Sequence, residues 1–281
     1  MNQLSPSSFG KGGQRPDLVE DKSSDLFRGK LHHPALGIRI PEIFLPGIIT
    51  ALDKRRCAAG LMLSFGRETA PEEIINAPPG RYEITLGHTG TSIRKYLNAG
   101  ARAARVAYVP VEMEADHLII TESSALAVKR IEGIRTPKIM GPAAIEKSLR
   151  YNLQALDEAA ATGVVRAFTT DTSDLFDDQA ERMSSYALNK RFTELYPAAE
   201  RERMLKTYRG KHRFRGADGK PVRLALSRDR MIAALLKFRK SLEINALLYN
   251  ELRARMKHPF AFEISMDETE APTLPAHLFV Y

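Results

Sequence analysis

The stretch AAIEKSLRYNLQALDEAAATGVVRAFTTDTSD, residues 143–174, carries the pattern that decides the fold. Residues 143–161 have the spacing of an amphipathic helix, and residues 164–170 form the short apolar run of a buried strand. Polar residues follow the strand directly. Three more strands are predicted at residues 60–65, 105–113 and 260–266. Further helices are predicted at residues 91–103, 178–195 and 229–256.

Strands separated by helices of this length need crossover connections, because antiparallel neighbours are joined by tight turns. The sequence therefore predicts an α/β fold with a parallel sheet. Neither a Gly-x-Gly-x-x-Gly nor a Gly-x4-Gly-Lys-Ser/Thr pattern occurs, which argues against a dinucleotide site or a P-loop. Helix 229–256 carries one long stripe of mainly apolar residues with Ser227 as N-cap, and we interpret that stripe as core.

Composition sets the broad class of the protein. The chain has 281 residues, 43% of them hydrophobic, and a single cysteine, Cys57, which excludes an internal disulfide framework. Neither a secretory leader nor an apolar run long enough to cross a membrane is visible, so we expect a cytoplasmic protein without membrane association. Residues 1–34 predict a mobile N-terminal arm, and residues 35–281 predict one barrel-like domain.

The positive charge is concentrated in one segment. Residues 200–240 contain 14 Lys/Arg against 4 acids, more than the surplus of +8 for the whole chain. Such a run usually forms a solvated, charge-rich helix and loop. The alternative is a field that attracts an anion, either a nucleic-acid backbone or a small carboxylate sugar.

Polar clusters follow each predicted strand, where the loops of a parallel sheet converge on one mouth. They are Gly66–Glu68, Glu114–His117, Asp171–Asp174 and Glu263–Glu270. Carboxylates and an imidazole, with no thiolate, are typical ligands of a divalent metal ion. These clusters therefore predict a divalent metal site at the ends of the strands. The alternatives are that Asp174 and Asp267 cap helices and that Glu263, which we expect to be buried, pairs with Arg67.

These segments resemble a known family. Phe262-Glu263-Ile264-Ser265-Met266-Asp267-Glu268-Thr269-Glu270-Ala271-Pro272-Thr273 is similar to a specific motif of the tagaturonate epimerase family. Three shorter motifs of that family match in the same order along the chain, at Glu114–His117, Phe168–Asp174 and Tyr208–Lys211. This chain has Leu175 where the family has a His. The resemblance runs from Glu114 to the end of the chain.

The resemblance implies a TIM-like (β/α) barrel, a divalent metal (Zn, Mn or Ni) and inversion of the carbon β to a ketone in a keto-hexuronate. A retro-aldol and aldol path suits these residue types. His117, Asp116 and Asp267 are the metal candidates. Asp171, Glu268 and Glu263 are the acid/base candidates, with Glu263 also considered as a ligand. Arg67 is the candidate clamp for the sugar carboxylate, and Asp174 is the second substrate-binding candidate.

Four predicted strands occupy nearly the whole chain, so we expect the barrel to be incomplete at its C-terminus, with fewer than eight strands. An open sheet edge predicts a homo-oligomer or another association through that edge, and we expect Leu278–Tyr281 to lie uncovered. Two other functions stay open: a metal-dependent sugar-acid aldolase, and nucleic-acid binding through residues 200–240, which is the less favoured.

Overall fold

The structure, a computed structural model, describes residues 33–38, 40–66, 68–78, 81, 90–122, 140–266 and 272–281. The strands are β1 (Ala35–Gly37), β2 (Ala59–Ser64), β3 (Thr69–Ala70), β4 (Thr91–Ser92), β5 (Val111–Ile119), β6 (Val165–Asp171), β7 (Gly210–Arg215), β8 (Pro221–Leu226) and β9 (Ala261–Ser265). The helices are α1 (Pro41–Arg55), α2 (Glu72–Ile75), α3 (Ile93–Ala107), α4 (Pro142–Ala161), α5 (Ser185–Leu195), α6 (Ala198–Tyr208), α7 (Arg228–Arg255) and α8 (Pro275–Val280). Within these described ranges, no helix has the length and apolar character needed to cross a membrane.

The chain divides into two compact units. Unit 1 comprises residues 1–171 and 247–265, and unit 2 comprises residues 172–246 and 266–281. Residues 1–32 lie outside the described ranges, so the mobile arm at 1–34 stays a prediction. The assignment of residues 35–281 to one barrel-like domain also stays a prediction.

A parallel sheet forms the centre of unit 1. Its strand order is β1-β2-β5-β6-β9, and all four pairings are parallel, which confirms the α/β class. The order follows the chain, as it does in a (β/α) barrel, whereas a doubly wound sheet reverses direction at a switch point. Among the described residues the sheet has five strands and does not close, so the barrel remains a proposal.

Helix α3 covers one face of this sheet. Its buried residues Ile93, Tyr96, Leu97, Gly100, Ala101 and Ala104 recur at helical spacing, and Ser92 caps the helix by accepting a hydrogen bond from the Lys95 amide. Leu61, Leu63, Met113 and Phe168 are among the buried strand residues of unit 1. The opposite face of the sheet, called the inner face below, carries the polar side chains.

The predicted strand at residues 105–113 is wrong at both ends. Helix α3 continues to Ala107, and Tyr108 ends it in the left-handed conformation at φ 55°. Strand β5 then runs from Val111 to Ile119. The apolar run was misleading because Val106 and Tyr108 are exposed, at 74% and 46%, and do not belong to a strand. Glu114–His117 therefore lie within the strand and not in the loop after it.

Two other predicted elements differ in detail. The helix predicted at 178–195 is a 3₁₀ turn at Asp178–Arg182 followed by helix α5, because Ser184 caps a new helix start through the Ala187 amide. Helix α7 matches the helix predicted at 229–256 closely. The Ser227 hydroxyl accepts a hydrogen bond from the Arg230 amide, which confirms the predicted N-cap.

Unit 2 has its own core. Phe176, Leu188, Phe192, Met231, Phe238 and Val280 are buried in it. The basic segment contributes helix α6 and an antiparallel hairpin of β7 and β8, so the expected helix and loop is wrong for residues 210–226. One hairpin face packs on helix α8, with the rings of His212 and Phe214 against Phe279.

The chain end is covered within unit 2, contrary to expectation. Val280 is 3% exposed, and the Tyr281 hydroxyl bonds to Ser241 at 2.6 Å and accepts from Asn245 Nδ2 at 2.8 Å. Of the four residues Leu278–Tyr281 that were expected to lie uncovered, only Leu278 does, with 69% exposure. The prediction failed because helix α8 packs back onto helix α7 and the hairpin, contacts that no local pattern reveals.

Candidate active site on the inner face of the sheet

Strand β5 places a row of acids on the inner face. Glu112, Glu114 and Asp116 alternate with Met113 and Ala115, which are fully buried on the helix side. The register sets Gly60 beside Glu112, Met62 beside Glu114 and Ser64 beside Asp116. The alternation thus brings three carboxylates into one line, ending at the carboxyl end of the sheet.

At that end, Asp116 is the centre of a small polar group. The Ser64 hydroxyl donates to Asp116 Oδ2 at 3.2 Å, and His117 Nδ1 lies 3.4 Å from the same oxygen. The Ser64 amide donates to Glu68 Oε2 at 2.9 Å, so Glu68, which is 4% exposed, fixes the end of β2. Asp116 and His117 therefore set one carboxylate oxygen beside one imidazole nitrogen, two donor types found in divalent metal sites.

An irregular backbone makes this grouping possible. Neighbouring residues of a regular strand point to opposite faces, yet Asp116 and His117 approach one another. The β5–β6 register shifts between Ala115 and Leu118, and His117 has a left-handed φ of 47°. Strand bulges and left-handed non-glycine residues are concentrated at functional sites, where they re-aim side chains.

A second group lies deeper along the same face. His33 Nε2 is 3.8 Å from Glu112 Oε1 and 3.8 Å from Glu114 Oε1. Burial, together with the charges of Glu112, Asp116 and Glu263, raises the pKa of Glu114 to about 7. Glu112 is itself only 3% exposed.

The two acids predicted from later strands lie on the paired strands β6 and β9, in diagonal positions. Asp171 ends β6 opposite Ser265 and is 6% exposed, and Glu263 pairs with Thr169 in register. Glu263 shares the inner face with Glu114, because Glu114 pairs with Ala167 and Ala167 with Ala261, two residues before Glu263. The expected burial of Glu263 is wrong, because its side chain is exposed in the described sheet.

The remaining predicted residues lie in unit 2 or outside the described residues. Asp174 is 6% exposed and lies in a 3₁₀ turn at Ser173–Leu175, which belongs to unit 2. Arg67, Asp267 and Glu268 lie outside the described residues. The structure therefore brings together Asp116 and His117, with Asp171 and Glu263 on adjoining strands of the same sheet.

Sequence reasoning missed His33, Glu112 and Gly60. The acids at 112, 114 and 116 have the period of a strand, and this signal was hidden by the misplaced end of helix α3. Nothing local connects His33 to Glu112, since their proximity depends on the pairing of β1 with β2 and of β2 with β5.

Comparison with known proteins agrees with the motifs. The family model described as UxaE, tagaturonate epimerase, matches residues 151–281. No curated protein matches the chain. The fructuronate-tagaturonate epimerase UxaE from Cohnella laeviribosi, crystallised with two glycerols, is similar with a TM-score of 0.55 and 17% identity over 94% of this chain. Its native crystal structure gives a TM-score of 0.53 and 18% identity over 88% of this chain.

At this identity the structural likeness establishes the fold alone. The chain spans 43% of the length of the two-glycerol structure and 40% of the native one. Over residues 151–281, the resemblance to the tagaturonate epimerase family is confirmed.

Proposed function

We propose that this chain forms part of a metal-dependent epimerase of keto-hexuronates of the tagaturonate/fructuronate type. The observation that carries the proposal is the group of Ser64, Asp116 and His117 at the carboxyl end of a parallel sheet. The family match over residues 151–281 supports the substrate class. Sites of (β/α) enzymes lie at this end of the sheet.

A divalent cation fits the donors present. His117 Nδ1 and Asp116 Oδ2 lie 3.4 Å apart and offer one imidazole nitrogen and one carboxylate oxygen, a set suited to Zn²⁺, Mn²⁺ or Ni²⁺. We assign Asp267 as the third ligand. A cation held there supplies Lewis-acid stabilisation of the negative charge that develops on the ketone oxygen.

Carboxylates of the chain move the protons. In the proposed reaction a base takes the proton of the hydroxyl on the carbon β to the ketone. The bond between that carbon and its α neighbour breaks, which leaves an aldehyde and an enolate. The aldehyde rotates, the bond forms again on its other face, and the new alkoxide takes the proton back. We assign these transfers to Asp171, Glu263 and Glu268.

Two residues are proposed to hold the sugar. Arg67 is suited to the carboxylate because its planar guanidinium binds such a group through two hydrogen bonds. Asp174 is assigned to a sugar hydroxyl. Arg67 is assigned because it closely follows the strand predicted at residues 60–65, and Asp174 because it ends the Phe168–Asp174 motif.

An aldolase is the nearest alternative, since cleavage followed by product release has the same first step. Purified chain is incubated with tagaturonate and Mn²⁺, Ni²⁺ or Zn²⁺, with a chelated sample as control. We expect fructuronate in the metal-loaded samples. Three-carbon products would favour the aldolase, and the absence of any turnover by folded, metal-loaded chain would contradict both activities.

Nucleic-acid binding is a second candidate because of the hairpin in unit 2. Lys211, Arg213, Arg215 and Arg223 are exposed on one face of β7 and β8, and Arg213 is directly opposite Arg223. Adjacent like charges favour an anionic partner. A salt-sensitive mobility shift of labelled RNA or DNA would support this function, and no shift at low salt would exclude it.

Association through the open sheet edge is proposed as well. Strand β9 forms an edge of the described sheet, with β6 as its neighbour. Light scattering during size-exclusion chromatography tests the proposal: an oligomer agrees with it, and a monomer at high concentration contradicts it.

A further inference from the structure

His33, Glu112 and Glu114 form a cluster separate from the Asp116–His117 pair. Glu112 lies level with Gly60 and, through β2, with Ala35 at the start of β1, and His33 precedes that strand. The cluster is therefore set toward the amino ends of the strands, away from the mouth. It also lies outside residues 151–281, the part that matches the family model.

The three side chains have the spacing of metal ligands. One ligand atom from each residue lies within 4.8 Å of the other two. The two 3.8 Å distances from His33 to the glutamates exceed the length of a hydrogen bond. Ligands at about 2.0–2.2 Å from a cation stand about 3–3.5 Å from one another, so small side-chain rotations close the set around an ion.

The backbone beside the cluster leaves room for a carboxylate. A Cβ atom at Gly60 would lie 1.7 Å from Glu114 Oε1. Glycine at this strand position allows the Glu114 carboxylate to lie against β2, on the side toward Glu112 and His33. An alanine there would push the Glu114 carboxylate away without removing any donor.

We propose that His33, Glu112 and Glu114 bind a first-row divalent cation, Zn²⁺ or Mn²⁺, at a site distinct from the one at the mouth. Two carboxylates and an imidazole suit these ions better than Mg²⁺ or Ca²⁺, which prefer oxygen ligands alone. The ion would attach the segment before β1 to the central strand β5. Its role is to hold the edge of the sheet, since β1 pairs through only three residues.

Metal content tests the proposal. The full chain is stripped with a chelator, loaded with Zn²⁺ or Mn²⁺, desalted and measured by elemental analysis. We expect about two ions per chain in the unchanged protein, and about one in His33→Ala, Glu112→Gln and Gly60→Ala, since the first two change a ligand of the cluster and the third displaces the Glu114 carboxylate. Glu146→Gln, at an exposed glutamate of helix α4, is the matched control and should keep both ions.

The outcomes separate this proposal from the proposed enzyme. Unchanged metal content in the three cluster variants, each folded by circular dichroism, would overturn the second site and leave the epimerase untouched. His117→Ala should lose only the ion at the mouth. If the cluster variants do not fold, Co²⁺-loaded His117→Ala protein decides: a visible ligand-field spectrum supports the cluster, and no bound Co²⁺ overturns it.

Discussion

The Ser64 hydroxyl donates a hydrogen bond to Asp116 Oδ2 between strands β2 and β5, over 3.2 Å. The bond orients the carboxylate toward His117, whose Nδ1 lies 3.4 Å from the same oxygen. Partners of this kind fix the direction of metal ligands and raise their affinity. Ser64 is therefore a positioning residue, since it acts through Asp116.

Ser64→Ala should lower affinity for the metal at the mouth about 10-fold, with a similar loss of kcat, because Asp116 loses its orienting bond. Calorimetric metal titration and initial rates measure both quantities. Ser64→Thr should restore them, since it keeps the hydroxyl. Thr50→Ala, at an exposed hydroxyl on helix α1, is the control. Equal metal affinity in Ser64→Ala and the control would contradict the role.

Glu114 makes the stability of the metal-free protein depend on pH. Its pKa is about 7 in the fold, against an ordinary value of 4.5, mainly because the carboxyl group is buried. Between these two values the folded chain binds more protons than the unfolded chain. The free energy of unfolding therefore falls as pH rises through this range.

Glu114→Gln should remove the loss of unfolding free energy that accompanies rising pH. We expect the metal-free variant to be more stable than the unchanged protein by about 1–2 kcal/mol at pH 8, after allowance for solvent screening, and to gain little at pH 4.5. Urea unfolding at both pH values, with Glu146→Gln as control, measures the difference. A gain that is equal at the two pH values would contradict the raised pKa.

Lys237 stabilises unit 2 through two ion pairs. Its Nζ lies 2.9 Å from Asp178 Oδ1 and 2.7 Å from Glu181 Oε2, and its side chain is 5% exposed. Lys237→Met would leave two partly buried carboxylates facing one another. We expect a loss of about 2–3 kcal/mol in unfolding free energy. Lys240→Met, at an exposed neighbour, should change it little, and equal losses in the two variants would contradict the account.

The sequence predicted best where period and length agree. Helix α4 and strand β6 lie within one residue of their predicted limits, because the helix is long and the strand is short and apolar before Thr169 except at Arg166. Asp171 at the end of β6 follows directly from that boundary. The parallel arrangement followed from the length of the connections, and it is confirmed.

Most features that the sequence did not predict depend on contacts between distant segments. His33 meets Glu112 only through the registers of two strand pairs, and Tyr281 meets Ser241 only because helix α8 folds back. The end of helix α3 was missed for a local reason: Tyr108 takes a left-handed φ that usually calls for glycine or asparagine, so no familiar stop signal marks it.

The hydrogen on the inverted carbon distinguishes two routes of inversion. Retro-aldol inversion breaks a carbon–carbon bond and leaves the hydrogen on the inverted carbon in place, whereas inversion by deprotonation exchanges it with solvent. Proton NMR of metal-loaded protein with tagaturonate in D₂O reads this out. We expect fructuronate that retains that hydrogen. Deuterium at the inverted carbon, or no fructuronate at all, would rule out retro-aldol inversion by this chain.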